Sequence, residues 1–423
     1  MTNITTIPKS RKNVIKYFIF VMFIIPTIQV SGLTTVIGRF IPNLLGYNLL
    51  AFILSIPLLR SLRKDYGNLK WVVFAIAILT LYILFTFIST TNDTSFFEAL
   101  TVFRHSFMQV LNLFIILPFM FSLNKEEVNY ALHCIFKCLI AFLFVYLSNN
   151  LIYDWLGVKG AIETYGGISV DRSIIGVPQL VPVWVALFLV YAILNVKNAR
   201  IYLMVALFTI IITFTRNMLF STMVIVAIVI ILMVVKNPPK IGNGIKMLLF
   251  ALFGIIFLSI FLPDAINFWM AKLSNTFNED LKHDVGTFAF RERLIEDALY
   301  AIRHNTLLGL GYVRDVAKGE YSLVMGTDTY IAPILWCEGW GGLILRILPF
   351  AILGLNALTN LFVKKKDYWL DIVIVAIIVA STINYVQTDI LTNYPLTLGI
   401  IILLKIKDNY NRKTQDLENI SII

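Results

Sequence analysis

The sequence predicts an all-α integral membrane protein with about 12 transmembrane helices and a large extracytoplasmic loop that contains amphipathic helices. Three observations predict this fold class. Of the 423 residues, 58% are hydrophobic and only 14% are charged, which is too apolar for a soluble domain of this size. Apolar runs long enough to cross a hydrocarbon layer of roughly 30 Å recur along the chain. Basic residues alternate between successive connections, as the positive-inside rule requires.

Each predicted membrane span is an apolar segment close to the roughly 20 residues that a helix needs to cross the bilayer. The spans lie near residues 14–30, 41–59, 70–89, 101–122, 131–149, 178–195, 201–215, 217–235, 246–262, 330–362, 368–386 and 393–406. The first span lacks a small-residue cleavage site and is interpreted as a retained anchor. Because no repeat or linker divides the chain, residues 1–423 are treated as a single polytopic membrane domain.

Lysine and arginine orient these predicted spans. With the N-terminus in the cytoplasm, the cytoplasmic side receives the basic clusters at 9–16, 60–70, 197–200, 236–246, 364–366 and 405–413. The short outer connections carry few basic residues, so both termini are predicted to be cytoplasmic. The formal net charge of +10 is therefore an orientation signal toward anionic lipid, and we expect no nucleic-acid partner.

Two long outer connections, 150–177 and 263–329, are predicted to carry the function on the outer leaflet. In the second, residues 288–303 form an amphipathic helix with Leu294, Ile295, Ala298 and Ile302 on one stripe. Arg291 falls within that apolar stripe. A charge facing the membrane or the helix bundle is costly unless an anion or water meets it. We favour a binding site over a salt bridge to the bundle or a snorkelling side chain.

Three further arginines are predicted at the same membrane depth. The run 201–235 would be about 52 Å long as one helix, so the chain must break near Arg216 and Asn217 at the outer face. Arg216 taken alone fits a helix end equally well. Arg104, beside His105, lies about one turn inside the outer end of the fourth span, and Arg172 ends the first outer loop. Four arginines from four segments indicate a site for an anion.

Guanidinium groups favour a phosphate-bearing ligand, because their planar fork grips phosphate oxygens in a bidentate manner. A polyprenyl pyrophosphate could meet these arginines with its tail still in the membrane. The outer loops contain no D-x-D pair for a divalent metal, and "NED" at 278–280 fits a solvated surface better. The cysteines, Cys134, Cys138 and Cys337, lie in predicted helices without zinc-site spacing. We therefore expect arginines in place of a metal, and neither a metal nor a cofactor.

Several motifs, taken in order, resemble those of the O-antigen ligase and repeat-unit polymerase superfamily of polytopic membrane glycosyltransferases. They are "TRNMLF" opening a span, "FRERLIEDALYAI" and "LLGLGY" in a large outer loop, and "TDTYIAPILWCEGWGGL" entering the next span. The resemblance is best over about 200–362. It implies that Arg216 and Arg291 bind a lipid-linked pyrophosphate. Ligases commonly carry a His-Asn pair where this chain has "GTDTYIAP", so it resembles a polymerase more than a ligase.

The resemblance implies glycosyl transfer at the bacterial cytoplasmic (inner) membrane, with the active side extracytoplasmic. A polyprenyl-pyrophosphate oligosaccharide would donate its reducing-end sugar to a hydroxyl of another lipid-linked repeat, and a chain-length regulator is a further candidate partner. The acceptor hydroxyl benefits from a general base, for which Asp328, Glu163 and His304 are the outer-loop candidates. Asp328 ranks first on position, although capping the helix that starts near Tyr330 explains it equally well.

Charges and glycines elsewhere are given structural interpretations. "GWGG" at 339–342 predicts a kink or close packing within a long apolar stretch. Arg346 in the same stretch is expected to have a carboxylate partner. Asp371 and Asp389, at opposite ends of the eleventh span, are interpreted as solvated.

Two alternatives to a polymerase stay open. A ligase would transfer the glycan to an acceptor that is not polyprenyl-linked. A lipid-linked oligosaccharide flippase or other transporter would also suit twelve helices with inward charges. The long second outer loop and the absence of related halves count against a transporter.

Overall fold

The computed structural model describes most of the chain. Described are residues 7–25, 47–61, 70–90, 95–156, 162–165, 167–171, 181–193, 198–212, 216–236, 263–275, 287–312, 331–363, 369–385 and 397–410, with the isolated positions 242, 246, 249 and 278. Asp328, Arg172 and Asp389 lie outside these residues.

Helices make up nearly all of the described chain. In the first half they are α1 (Lys9–Ile19, continued by a π-helical turn, Phe20–Ile24), α2 (Tyr47–Ser55, continued by a 3-10 turn, Ile56–Ser61), α3 (Lys70–Thr90), α4 (Phe96–Phe121) and α5 (Lys125–Leu156). The second half contains α6 (Val181–Ile193), α7 (Ala199–Ile212), α8 (Arg216–Lys236), α9 (Pro263–Asn275), α10 (Thr287–Ala301), α11 (Ile331–Val363), α12 (Trp369–Tyr385) and α13 (397–410).

The helices have the length and composition of a membrane protein. Within the described residues, four are long and apolar enough to cross a membrane: Lys70–Thr90, Lys125–Phe144, Met218–Lys236 and Ile331–Val363. Shorter apolar helices occupy Leu50–Arg60, Val110–Phe121, Val181–Ile193, Ala199–Ile211 and Trp369–Thr382. Large apolar side chains stay exposed on the helix surfaces, as lipid contact requires. The total of 12 spans stays a prediction, and most of the ninth, 246–262, lies outside the described residues.

Helix α6 lies at the centre of the bundle. It packs against α7, α8 and α12, and nearly all of its side chains are buried. A helix that is apolar on all sides belongs inside a protein, which its sequence "VPVWVALFLVYAI" satisfies. On the other side of the molecule, α3 packs against α4 and α11, while α10 packs against α11.

Two separate helices occupy the run 201–235. Helix α7 ends at Ile212 and α8 begins at Arg216. Residues 213–215 lie outside the described residues, so the break between the two helices stays a prediction.

The predicted kink in "GWGG" is confirmed. Gly339 has a φ of 61° inside α11, a left-handed conformation that glycine adopts without steric cost. Gly309 of the "LLGLGY" turn has a φ of 71° and lies directly against it. A Cβ atom on Gly309 would be 2.6 Å from the Gly339 nitrogen, and one on Gly339 would be 2.6 Å from the Gly309 nitrogen. Each glycine therefore makes room for the other.

The segment predicted to be the first outer loop adds a short β-hairpin to a chain that is otherwise helical in its described residues. Strands β1 (Ile162–Tyr165) and β2 (Ile168–Asp171) pair antiparallel, with Tyr165 opposite Ile168. Thr164 Oγ1 and Ser169 Oγ are joined by a hydrogen bond of 2.8 Å across the pair. The Gly-Gly dipeptide, flanked by alternating apolar and polar residues, could have indicated this hairpin from the sequence. Helix α5 also continues to Leu156, so this loop starts later than the predicted residue 150.

The interpretation of Asp371 as solvated is wrong. Its side chain is fully buried and its Oδ1 accepts a hydrogen bond of 2.8 Å from Lys405 Nζ of α13. Asn360 Nδ2, at the end of α11, lies 3.4 Å from the same oxygen. A charge at the end of a predicted span is buried here because another helix supplies a partner for it.

A second ion pair joins α1 to the start of α5. Arg11 Nε donates to Glu127 Oε1 at 2.8 Å. Glu127 also closes a capping box, in which its backbone N–H donates to Asn124 Oδ1 at 2.9 Å and its Oε2 accepts from the Asn124 N–H at 3.1 Å. Tyr410 OH of α13 donates to Leu123 O at 3.2 Å. Segments whose basic clusters are predicted to be cytoplasmic therefore contact one another.

Replacing Gly309 with alanine is expected to destabilise the protein by at least about 3 kcal/mol, because the left-handed backbone and the contact with Gly339 are both penalised. Gly167 is the matched control, since its φ is 79° and a Cβ there meets nothing within 4 Å. Gly167→Ala should cost only about 1 kcal/mol. Unfolding in detergent, followed by tryptophan fluorescence, measures both. Equal losses would show that the Gly309–Gly339 contact contributes nothing.

Candidate functional site

Helix α9, in the segment predicted to be the second outer loop, lies beside the end of α7 and the start of α8. Trp269 Nε1 donates a hydrogen bond of 2.8 Å to Ile211 O in the last turn of α7. Phe268 and Trp269 are buried against Ile211 and Leu219, and Leu219 is one turn from the first residue of α8. The outer-loop helix is thereby held next to the helix start at Arg216.

The β-hairpin of the first outer loop contacts the same helix. Both β1 and β2 lie against α9, so segments from the two outer loops meet beside the start of α8. Sequence reasoning assigned both loops to one side of the membrane but did not predict this contact. The tryptophan in "INFWMAKL" could have indicated that this helix packs on the bundle, because a buried indole N–H needs an acceptor.

Helix α10 has the predicted amphipathic character. Leu294, Ala298 and Ile302 are buried, with exposed fractions of 3% or less. The predicted opposite face is exposed; it comprises Arg293, Glu296, Asp297, Tyr300 and Arg303. Arg291 is half-buried at the start of the packed stripe. Its guanidinium therefore lies at the edge of the contact between α10 and the bundle.

The remaining predicted site residues are described to different extents. Arg104 is exposed, about two turns from the start of α4. His304 is exposed, and its Nε2 accepts a hydrogen bond of 3.0 Å from Arg303 Nε. Glu163 lies opposite Val170 in the hairpin. Only the backbone of Arg216 and Glu163 is described, so the convergence of the four arginines stays a prediction.

A buried polar network beside the kink in α11 was only partly predicted. Arg346 has the expected carboxylate partner, which is Glu338. Arg346 Nε donates to Glu338 Oε2 at 2.8 Å, and its Nη2 donates to Glu338 Oε1. Tyr312 OH, from the loop after α10, donates to Glu338 Oε1 at 2.6 Å. Glu338 is the sole acidic residue of "IAPILWCEGWGGLILRILPFAILGLNALTNLFV", a signal that could have identified it.

Backbone hydrogen bonds fasten the loop after α10 to the same part of α11. We call this contact the loop clasp. Its bonds are Leu310 N to Trp336 O at 2.7 Å, Gly311 N to Cys337 O at 3.1 Å, Trp340 N to Thr306 O at 2.9 Å and Gly341 N to Leu307 O at 3.0 Å. These bonds satisfy peptide groups that the break at Gly339 removes from the helix ladder.

Helix α3 supports the loop clasp from the side. The Tyr82 hydroxyl lies within hydrogen-bonding distance of the carbonyl oxygens of Leu307 and Glu338, which share its single O–H donor. Thr90 Oγ1, at the end of α3, accepts a hydrogen bond of 3.1 Å from Tyr312 N. Gly311 has a φ of 82°, and a Cβ there would overlap Thr90 Oγ1. The loop is therefore held by two helices of the bundle.

The network is suited to holding structure rather than to moving protons. Both carboxylate oxygens of Glu338 accept hydrogen bonds, and the side chain is 1% exposed. Burial, together with the nearby Glu338 charge, raises the pKa of Tyr312 well above its ordinary value. The phenol therefore stays protonated and keeps donating to Glu338 throughout the physiological pH range.

Within the part of the chain that is described, no group of three or more His, Cys, Asp or Glu side chains could hold a metal ion. Cys134 and Cys138 lie one turn apart on α5 and are half-buried. Their spacing fits helix packing.

Glu338→Gln is expected to lower the free energy of unfolding by about 3 kcal/mol or more, because it leaves the Arg346 charge buried without its counter-ion. Adding Arg346→Met should recover most of that loss, since an apolar side chain then fills the space. Unfolding of the single and double variants in detergent checks this. A double variant that is less stable than Glu338→Gln would contradict it.

Comparison with known proteins identifies no family for the chain. No protein-family model matches it, and no curated protein sequence matches it significantly.

Proposed function

We propose that the protein polymerises the repeat units of a surface polysaccharide, such as O-antigen or capsule, at the outer face of the bacterial cytoplasmic membrane. The donor is an oligosaccharide on polyprenyl pyrophosphate, and the acceptor is another lipid-linked repeat. One observation carries the proposal: Arg291 is half-buried on the packed face of α10, in an outer-loop segment fastened to a membrane helix. A cation in that place favours an anionic lipid headgroup as its ligand.

The reaction is a displacement at the anomeric carbon of the donor's reducing-end sugar. The acceptor hydroxyl oxygen forms the new glycosidic bond, and the bond between that carbon and the pyrophosphate oxygen breaks. The hydroxyl proton passes to a general base, and polyprenyl pyrophosphate leaves. Arg216, Arg291 and Arg172 would stabilise its negative charge, with Arg104 as a further candidate.

Asp328 is the preferred general base. It stands three residues before the first residue of α11 in the sequence, and the loop clasp joins the first part of α11 to the segment that carries Arg291. A base and a leaving-group cation on two connected segments suit a reaction that needs both at once. Glu163 and His304 are the other candidates. The exposure of His304 and its bond to Arg303 favour it less.

The contact of both outer loops beside α8 supports a site at the outer leaflet. Helix α9 lies against the end of α7 and against the β-hairpin. In such an arrangement, α9 and the hairpin can contact the glycan of a lipid-linked substrate while its polyprenyl tail stays in the bilayer.

Purified protein supplied with lipid-linked repeats tests the proposed activity. A ladder of longer glycans on the lipid carrier is the expected product. Movement of the substrate across a vesicle membrane without new glycosidic bonds would make the protein a transporter. Transfer only to an acceptor that is not polyprenyl-linked, such as lipid A core, would make it a ligase.

Arg291→Lys is expected to insert and fold normally and to lower the polymerisation rate at least about tenfold, because a point charge replaces the planar fork. Arg293→Lys is the matched control, since Arg293 is exposed on the opposite face of the same helix. Its rate should stay within about twofold of the wild type. Chain growth measured with saturating substrate compares the two. Equal rates for both variants would remove Arg291 from the site.

A further inference from the structure

The polar network beside the kink joins segments that are far apart in the sequence. Glu338 and Arg346 belong to α11, whereas Tyr312 ends the loop that follows α10. All three side chains are 1% exposed. Tyr312 is therefore the side chain through which the second outer loop reaches the buried ion pair.

The charge state of the pair gives the Tyr312 bond its strength. A hydroxyl that donates to a carboxylate makes a shorter and stronger hydrogen bond than one between neutral groups. The carboxylate is shielded from water, so its Oε1 loses a donor that water does not replace when Tyr312 leaves. Undocking the loop would expose one buried carboxylate oxygen without its donor, which opposes local opening.

Helix α10 packs on α11 through a stripe that ends at Ile302, and the loop clasp begins immediately afterwards. Arg291 lies about three turns before Ile302, roughly 16 Å along the helix axis. Because the helix is rigid, a small rotation of α10 about the loop clasp displaces Arg291.

The N-terminal turns of α11 lie on the other side of the clasp. The kink at Gly339 separates Ile331–Glu338 from the rest of the helix, and the clasp bonds reach Trp336 and Cys337 in this first part. Tyr82 of α3 holds the Glu338 carbonyl at 2.9 Å. The orientation of the segment that follows Asp328 is therefore set at the same place as that of α10.

We propose that Tyr312, Glu338 and Arg346 are positioning residues that place the pyrophosphate-binding Arg291 relative to the first turns of α11. This role rests on the proposed function. None of the three residues touches the substrate; they act by docking the outer loop on the ion pair. Their loss should lower the rate of the chemical step more than the affinity for the donor, because binding tolerates a misplacement that the transition state does not.

Tyr312→Phe tests the role, because it removes one hydroxyl and keeps the ring. The centroid of that ring lies 5.4 Å from the centroid of the Phe103 ring. We expect amide hydrogen exchange in α10 to accelerate at least about tenfold, while exchange in α12 stays unchanged. The kcat of polymerisation should fall about tenfold, with KM within about twofold. The matched control is Tyr410→Phe, which removes a tyrosine hydroxyl bonded to Leu123 O and should change none of these quantities.

The two measurements separate the docking role from the proposed function. Exchange needs no substrate, so unchanged exchange in α10 would overturn the proposal whatever the activity. Faster exchange in α10 with an unchanged kcat would also overturn it. Loosening the loop would then leave the reaction unaffected, so docking would not position it. If exchange responds but wild-type protein makes no polymer, the polymerase assignment fails, and with it the catalytic half of the proposal. Faster exchange in α10 and α12 alike would indicate general destabilisation and contradict a local role.

Discussion

The bidentate ion pair between Glu338 and Arg346 is the interaction on which the docking of the loop after α10 depends. An arginine inside a bundle of apolar helices is tolerated only when a carboxylate meets it with good geometry. The carboxylate stands next to a glycine that breaks the helix, and that break exposes the backbone groups to which the outer loop is fastened. One charge pair thus fixes the kink, the loop and the orientation of α10 together.

Buried charges elsewhere in the bundle are also neutralised by ion pairs, but between different kinds of segment. Lys405 and Asp371 form a buried pair between α13 and α12, and Arg11 pairs with Glu127 between α1 and α5. Each of these pairs joins two helices near their ends, whereas the Glu338 pair also binds a loop residue, Tyr312. The difference suits the chemistry proposed for the outer face, because Tyr312 joins the pair of Glu338 and Arg346 to the segment that carries Arg291.

Sequence reasoning predicted the local features well. The division of the run 201–235 into two helices follows from the length of one membrane crossing, and the packed face of α10 follows from helical periodicity. The partner of Arg346 was expected because a lone buried charge is too costly. What could not be predicted depends on neighbours distant in sequence: Asp371 was judged from its place at a span end, and its partner Lys405 lies on another helix. The hairpin was missed because the membrane signal outweighed a Gly-Gly turn. The side chains of Arg216 and Glu163, and all of Asp328, fall outside the described residues, so their roles rest on pattern alone.

The reciprocal contact of Gly309 and Gly339 constrains how this sequence can drift. Each backbone occupies the space that the other's Cβ would need, so neither position can gain a side chain while the clasp persists. A distant homologue that keeps the clasp must keep glycine at both places, and one that loses either glycine must have rebuilt the contact. Two glycines 30 positions apart in the sequence are thus a sparse but stringent signature for recognising the same architecture where overall similarity has faded.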